Sequence, residues 1–449
     1  MNSQDTFYWT PQPQAEALIQ NILSEAAAEN EDIQFLSESL LKTASTRLFD
    51  WLDFVAIDDS PEMQKNLAEA GFILQGGCLE PIFFHPGAQL PRVVLQPFDD
   101  AKKGIGISVD SIADFLMVRG EKKRIEGSIF GNLRRCLFSQ KNGSAIWLIE
   151  KRGAVSLQPT QEDSEKTQQY LCALEKWMTR PRSSKDEERA IEEALLLAER
   201  LVREVGRSRA AWTVLEGERR YWQVRNFAGQ LQKGRQDRLG MGWSNHDHHT
   251  FRSSRRFFNQ LIKLFEILGF SCRERFHAGA EAGWGAQVME NAACRLVLFL
   301  DVDLTPEEIT QDFEKEPLQD LKQLGTVGLW CALHGESILH AGMHHLEAQF
   351  MFEELKEDLA HTGIKMMEPF SNFPYLKQAF TEGEKWPLDP ERVLKLQEEG
   401  KISPAQAERF LTHGAIGSHL ENLQRREGFK GFNQQNVSKI IKKTDPRIF

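Results

Sequence analysis

The chain has 449 residues, of which 41% are hydrophobic and 10% aromatic, so two or more domains with ordinary cores are expected. Its formal net charge of −10 disfavours nucleic acid and anionic membranes as general partners. The six cysteines are scattered and form no CxxC pair, which argues against disulfides and thiolate zinc sites and favours a reducing compartment. No secretory leader pattern opens the chain and no apolar run reaches membrane-spanning length, so we expect a soluble, cytoplasmic protein.

Residues 1–153 are predicted to hold a helical segment followed by one degenerate βαβββ module without metal ligands. Apolar residues recur at helical spacing over 15–25 and 33–41. A strand over 51–57, a helix from Ser60 to Ala70 and three short strands (71–74, 81–84 and 91–95) follow. A second apolar pattern, at 104–119 and 144–150, is either a degraded partner module or a capping element.

Residues 154–240 are predicted to form a helical linker. A short helix is expected over 166–178, and a strongly amphipathic helix over 186–205. Basic and aromatic residues alternate over 219–238, a pattern that is also used to stack on nucleic acid. In an acidic chain we interpret it as a helix that lies against the catalytic domain, with some arginines facing an anionic substrate.

Residues 241–449 are predicted to form a metal-binding catalytic domain of paired modules. The second βαβββ copy has a strand at 246–252, a helix at 253–268 and strands at 269–275, 286–290 and 295–301. A third copy has a strand at 342–348, a helix at 350–361, candidate strands at 364–367 and 375–380, a helical insertion at 389–412 and a strand at 414–421.

Comparison of the copies indicates where metal ligands are missing. Aligning Gly71-Phe72 with Gly269-Phe270 places Asp50 at the position of His248. The first copy is therefore expected to have the βαβββ elements without the histidine ligand. The run from Asp301 to Asp303 is interpreted as a strand end that leads into a solvated helix.

The histidines point to a metal site in the C-terminal half. Eleven of the twelve lie between His246 and His419, and three fall within 246–249. In a strand, His246, His248 and Thr250 share one face, and His249 lies opposite. Because imidazole is the commonest neutral metal ligand, we predict an iron or other divalent-metal site here, with a polar loop of incidental histidines as the alternative.

Repeated βαβββ modules that curl around one cavity resemble the vicinal-oxygen-chelate superfamily, and residues 243–447 resemble one family within it. That family is the 2-oxoadipate dioxygenase/decarboxylases, also called hydroxyglutarate synthases. The run DHHTFR at 247–252 is similar to the family's Asp-His-x-x-Phe-Arg strand. The resemblance implies that His248 binds the metal and that Arg252 holds the substrate carboxylate.

Further motifs resemble the family in the same order along the chain. His345, in the run HHL, stands where the family has its second histidine ligand, and Gln378, in the run YLKQ, matches a pocket segment. The run GSHLE resembles the strand that ends in the ligand glutamate, here Glu421. The run RREGF at 425–429, with Asn433 and Thr444, is similar to the family's closing pattern.

The resemblance implies a mononuclear non-haem Fe(II) dioxygenase that oxidatively decarboxylates a small 2-oxo acid with O₂, giving a shortened hydroxy acid. Mn, Zn and Ni are the alternative metals. A lyase or isomerase that does not use O₂ and a non-catalytic binding protein with a vestigial fold stay open, and the sequence does not indicate the oligomeric state. Glu347 shares a face with His345 and competes with Glu421 as the carboxylate ligand, and His246 is the spare histidine.

Overall fold

A computed structural model describes residues 9–76, 80–184, 186–277, 282–433 and 445–447. They form two mixed β-sheets, one from each half of the chain, with four helices lying between them in chain order. The N-terminal elements are α1 (Pro13–Glu29), α2 (Glu31–Ala44), β1 (Leu52–Ile57), α3 (Pro61–Glu69), β2 (Ile73–Leu74), β3 (Ile82–Phe84), β4 (Arg92–Leu95), β5 (Lys103–Ser108), α4 (Ile112–Met117), β6 (Leu133–Lys141) and β7 (Ser144–Lys151).

The first sheet consists of two modules that are joined through their first strands. Its strand order is β2-β3-β4-β1-β5-β7-β6, in which β1 runs parallel to β4, β5 runs parallel to β7, and β1 and β5 are antiparallel. The pattern at 104–119 and 144–150 is therefore a partner module that lacks one strand. Ser60 caps α3 by accepting from the Met63 N–H, with Pro61 at the first helical position, as its sequence predicts.

Four helices connect the two sheets: α5 (Ser164–Met178), α6 (Glu187–Val205), α7 (Arg207–Gln223) and α8 (Phe227–Asp237). Ala194, Ala198 and Leu201 of the amphipathic α6 are buried in the same core as the outer face of the second sheet. The basic and aromatic segment forms parts of two helices and not one. Domain boundaries at 153/154 and 240/241 stay a prediction.

The second sheet repeats the paired arrangement. Its order is β13-β14-β16-β12-β8-β11-β10-β9, with β15 against β16, and the first strands β8 and β12 are antiparallel neighbours. Each first strand runs parallel to the last strand of its own module, β11 and β16 respectively. The elements are β8 (His246–Arg252), α9 (Phe258–Ile267), β9 (Ser271–His277), β10 (Trp284–Asn291), β11 (Leu296–Asp303), α10 (Thr326–His334), β12 (His345–Ala348), α11 (Phe352–Ala360), β13 (Ser371–Phe373), β14 (Leu376–Phe380), β15 (Glu384–Trp386), α12 (Pro390–Glu398), α13 (Pro404–His413) and β16 (Ala415–Arg425).

Some predicted elements differ from those in the structure. The helix expected from 253 begins at Phe258, because Ser253 and Ser254 instead bond the Glu336 carboxylate. The strand expected at 364–367 is an isolated bridge between Met366 and Thr381, and α10, β13 and β15 were not predicted. In the described ranges, no helix combines the length and apolar character that crossing a membrane requires.

Both sheets carry a β-bulge at the same place in their central strand pair. Between β1 and β5, Asp53 is the extra residue between the pairs Leu52–Ile107 and Phe54–Gly106. Between β8 and β12, Asp247 is the extra residue between the pairs His246–Ala348 and His248–Glu347. The bulges therefore place the two aspartates at equivalent positions in the two sheets.

Matching the bulges places Phe54, and not Asp50, at the position of His248. The alignment on the Gly-Phe pairs was wrong because the segment from His248 to Gly269 is four residues longer than that from Phe54 to Gly71, with half of the difference in the connection between strand and helix. By the same registers, Gly106 corresponds to Glu347 and Trp147 to Glu421. A Cβ on Gly106 would lie 2.1 Å from the Phe54 ring, so side chains fill the centre of the first sheet where the second sheet has polar groups.

Candidate metal centre

Three adjacent strands bring the polar groups of the second sheet onto one face. Glu347 of β12 lies opposite His248 of β8 on one side and opposite Glu421 of β16 on the other. His345 lies opposite Thr250 on β8. Because paired residues in adjacent strands project to the same side, five polar side chains meet over the middle of the sheet.

Donor atoms converge on one carboxylate oxygen. Glu347 Oε1 accepts from Thr250 Oγ1 at 2.5 Å and lies 2.5 Å from His345 Nε2 and 3.1 Å from His248 Nε2. Glu421 Oε2 lies 3.3 Å from His345 Nε2. In the described residues, His248, Glu347 and Glu421 form a group that could hold a metal, with ligand atoms within 4.8 Å of one another.

The strand register relates the two histidines to each other. The antiparallel pairs His248–Glu347 and Thr250–His345 place a pseudo-two-fold axis between β8 and β12. This axis exchanges His248 with His345 and Thr250 with Glu347. The two imidazoles therefore occupy equivalent positions in their modules, and Glu421 comes from the last strand of the third copy.

The electrostatics of this cluster are those of coupled acids and bases. Burial lowers the pKa of both imidazoles, but the charge of Glu347 and the hydrogen bonds to neighbouring carboxylates together outweigh it. They raise the pKa of His248 to about 9 and that of His345 to about 10. Burial raises the pKa of Glu421 to about 7, and the charge of Glu347 adds to this shift. Burial opposes ionisation of Glu347 too, but the charges of His248 and His345 lower its pKa to about 2.

The donor set fits a divalent cation. Imidazole nitrogen and carboxylate oxygen are the ligands that non-haem iron takes, and Zn, Mn and Ni accept the same atoms. Glu347 Oε2 and His345 Nδ1 are buried without a hydrogen-bond partner among the described residues. A cation bound here would displace the protons that the two imidazoles now share with the carboxylates.

Asp247 contacts the imidazole of His248 on the side that faces away from the cluster. Its Oδ1 lies 3.0 Å from His248 Nδ1, which leaves Nε2 directed at the cluster. Arg425 donates to both oxygens of Asp247, from Nε at 2.9 Å and from Nη2 at 3.2 Å. Gln89 and Gln349 also donate to Asp247. Arg425, which belongs to the RREGF motif, thus holds the aspartate that positions the predicted metal ligand His248.

A cavity of about 60 Å³ lies over the cluster and includes Arg252 and Gln378 in its wall. Gln378 donates to Glu421 Oε1 at 3.1 Å. Arg252 Nε lies 3.5 Å from Asp301 Oδ2, beyond good hydrogen-bonding distance. Burial raises the pKa of Asp301 to about 6, although Arg252 opposes the shift. Aromatic rings form most of the remaining wall: Phe276, Trp284, Phe299, Phe370, Phe380 and Phe432.

The structure brings His248, His345, Glu421, Arg252 and Gln378 around one cavity, and their roles as ligands or substrate contacts stay predictions. The expectations for His246 and for the arginines of residues 219–238 are wrong. The bulge turns His246 away from His248 to the side of His249, with ring centroids 5.1 Å apart, so His246 is no spare ligand. The arginines expected to face a substrate do not line this cavity, since Arg219 contacts His249 behind β8.

Several residues of the site were not found from the sequence. Asp301 lies at the predicted strand end and is a buried wall residue, because the parallel pairing of β11 with β8 places it opposite Arg252. His419 also lines the cavity, and its Nδ1 lies 2.9 Å from the Thr381 carbonyl oxygen. The period-two alternation of β16, which places His419 on the same face as Glu421, is the signal that could have found His419. Thr444, part of the closing motif, lies outside the described residues.

No protein-family model and no curated protein matches this chain. Solved structures similar to it include a triple mutant of 4-hydroxymandelate synthase from Streptomyces coelicolor, with a TM-score of 0.30 and 10% identity over 88% of this chain and 98% of that chain. Methylmalonyl-CoA epimerase from Mycobacterium tuberculosis has a TM-score of 0.24 and 9% identity, covering 41% and 89%. The uncharacterized protein YdcJ from Shigella flexneri has a TM-score of 0.23 and 14% identity, covering 52% and 72%.

Similarities this weak carry no argument about function. The chain's own strand order defines the fold: βαβββ modules are paired through antiparallel first strands, in two sheets. This is the vicinal-oxygen-chelate architecture. The predicted α+β fold class is confirmed.

Proposed function

We propose that the protein is a mononuclear non-haem Fe(II) dioxygenase that oxidatively decarboxylates a small 2-oxo acid resembling 2-oxoadipate. One observation carries the proposal: two imidazole Nε2 atoms and two carboxylates converge at the centre of the second sheet. We assign His248, His345 and Glu421 as the metal ligands, because the pseudo-two-fold axis pairs the histidines. Glu347 is the alternative carboxylate.

Iron held by these two imidazoles and one carboxylate would supply Lewis acidity and redox chemistry at this cavity. The protein's own groups position the substrate. Arg252 is the cation on the cavity wall, and its guanidinium suits the carboxylate at the far end of a dicarboxylic oxo acid. Asp301 holds Arg252 loosely enough for a substrate carboxylate to replace it.

The remaining wall residues orient the carboxylate ligand and exclude water. Gln378 fixes Glu421 through its amide, and the aromatic rings keep the cavity apolar. The cavity of about 60 Å³ is smaller than ligand sites of about 300–1,000 Å³. A 2-oxo acid therefore enters only if a wall residue moves, and Phe432, whose ring lies 4.9 Å from that of His248, is placed to do so.

The overall reaction converts one 2-oxo acid and one O₂ into CO₂ and a hydroxy acid shorter by one carbon. The test is to load the full-length protein with Fe(II) and to measure O₂ uptake and CO₂ release with 2-oxoadipate and shorter and longer homologues. We expect equal molar O₂ uptake and CO₂ release, abolished by His248→Ala and by His345→Ala. An iron-loaded protein that consumes no O₂ with any of these acids would refute the proposal.

A lyase or isomerase that uses the same metal without O₂ is the second candidate. It is favoured by Glu347, a second buried carboxylate next to both histidines that could serve as a proton-abstracting base. Elemental analysis of the protein as purified distinguishes the two candidates when it is combined with O₂ uptake. Zn or Ni without O₂ uptake would favour the lyase, whereas metal content unchanged by His248→Ala and His345→Ala would favour a non-catalytic binding protein.

A further inference from the structure

A second and larger cavity, of about 600 Å³, lies between the two sheets and belongs to neither the metal ligands nor their substrate pocket. Residues of β1, β4 and β7 form one wall, and residues of β8 and the β10–β11 turn form another. Its volume lies within the range of about 300–1,000 Å³ that is typical of small-molecule sites.

Three cations that line this cavity share a single carboxylate. Asp53 accepts from Lys151 Nζ at 2.5 Å and from Arg92 Nη2 at 2.5 Å, and Arg295 Nη1 lies 3.3 Å away. Asp53 and Arg92 are almost fully buried, with side chains 4% and 2% exposed. With Lys151 protonated, the cluster therefore carries two positive charges that no carboxylate in contact with it balances.

Other carboxylates on the cavity wall are already engaged. Asp247 is paired with Arg425 and Glu290 with Lys430. Asp50 is paired with Arg47, and Asp110 accepts from the backbone N–H of Trp243 and the hydroxyl of Ser244. These carboxylates therefore do not neutralise the excess positive charge of the Asp53 cluster.

The cations keep free donors for a ligand. Arg92 Nε is buried without a hydrogen-bond partner in the described part of the chain. The Arg295 side chain is 42% exposed, and its contacts to Asp53 and to the Leu90 carbonyl oxygen are long, at 3.3 and 3.4 Å. Burial, followed by the charge of Arg92, lowers the pKa of Lys151 to about 7 despite Asp53.

We propose that this cavity is a binding site for a small dianion, a phosphate monoester or a dicarboxylate, held by Arg92, Lys151 and Arg295. Two negative charges would balance the excess, and guanidinium groups match the planar oxygen pairs of carboxylates and phosphates. The site is separate from the proposed dioxygenase reaction, so failure of one leaves the other standing.

Isothermal titration of the full-length protein with inorganic phosphate and with succinate tests the proposal. We expect saturable binding of one or both with one site per chain, and the preferred probe identifies the dianion as phosphate-like or dicarboxylate-like. Arg295→Asn and Lys151→Met should each weaken binding by about tenfold, the effect of one charge-assisted hydrogen bond. Asparagine suits position 295 because Arg295 has a φ of 56°.

Two control variants locate the binding. Arg203→Gln removes an arginine of α6 whose side chain is 70% exposed, and should leave the affinity unchanged. Glu421→Gln alters the predicted metal centre and should also leave it unchanged. The proposal is overturned if neither probe binds, if both cavity variants bind like the wild type, or if Glu421→Gln abolishes binding.

Discussion

Asp247→Asn removes the charge of a buried carboxylate and changes its size very little. In the wild-type protein, Asp247 lies 3.0 Å from His248 Nδ1 and accepts two hydrogen bonds from Arg425. Burial opposes its ionisation, but Arg425 and then His248 hold the pKa of Asp247 well below its usual range. The substitution therefore leaves Arg425 buried without its counter-charge and weakens the support of His248.

The expected magnitudes follow from these contacts. Removing one partner of a buried ion pair costs about 3–5 kcal/mol. We expect the lower limit, because Arg425 keeps its bonds to the carbonyl oxygens of Phe429 and Gly431. At about 2–4 °C per kcal/mol for a domain of this size, Tm should fall by about 6–12 °C. Loss of the carboxylate behind a metal-binding histidine should weaken metal affinity by about 10- to 100-fold.

Asp53→Asn is the matched control, because Asp53 is the equivalent bulge residue of the first sheet and is also buried against an arginine. It should lower Tm by a similar amount and leave metal affinity unchanged. Thermal melts and competitive metal titrations of both variants measure the two effects separately. Wild-type metal affinity in Asp247→Asn, or equal losses of affinity in both variants, would show that Asp247 does not support a metal ligand.

Three further outcomes follow from the site. The raised pKa of Glu421 should cost chelator-treated protein stability as pH rises from about 4.5 to about 7. The raised pKa values of His248 and His345 should cost it more as pH rises from about 6.5 toward 10, while metal affinity rises; melts and metal titrations across this range measure both. A Tm that rises over this range with chelator present would contradict these shifts. Arg252→Lys should lower kcat/KM for 2-oxoadipate by about 10- to 100-fold and affect a monocarboxylic oxo acid less, which steady-state kinetics would show. Phe432→Ala should lower KM for oxo acids by opening the cavity, with Phe373→Ala, on β13, as the control that leaves KM unchanged.

Much of the order of strands and helices could be predicted from the sequence because it depends on local periodicity. The β8 alternation also placed His248 and Thr250 on one face, and the structure has both in the cavity wall. Asp301 could not be assigned in this way. Its burial depends on the parallel pairing of β11 with β8, which no local pattern encodes.

The bulge at Asp247 has a similar explanation. An extra residue in one strand is invisible to period-two alternation, and it is this residue that turns His246 away from His248. The strands β13 and β15 were missed because each has only three residues, which is too few to show an alternation of polar and apolar side chains. Whether Glu347 or Glu421 binds the metal could not be decided from the sequence, and the structure places both within reach of the histidines.

The repeated bulge also belongs to a larger arrangement that both sheets share. In each sheet the bulge aspartate is paired with a cation from the last strand of the partner module: Asp53 with Lys151 of β7, and Asp247 with Arg425 of β16. Lys151 lies four residues beyond Trp147, and Arg425 lies four beyond Glu421, so the cations occupy equivalent positions. The two sheets therefore share one frame of bulge, aspartate and cation, and they differ at the positions of the predicted metal ligands, with Phe54 in place of His248 and Trp147 in place of Glu421.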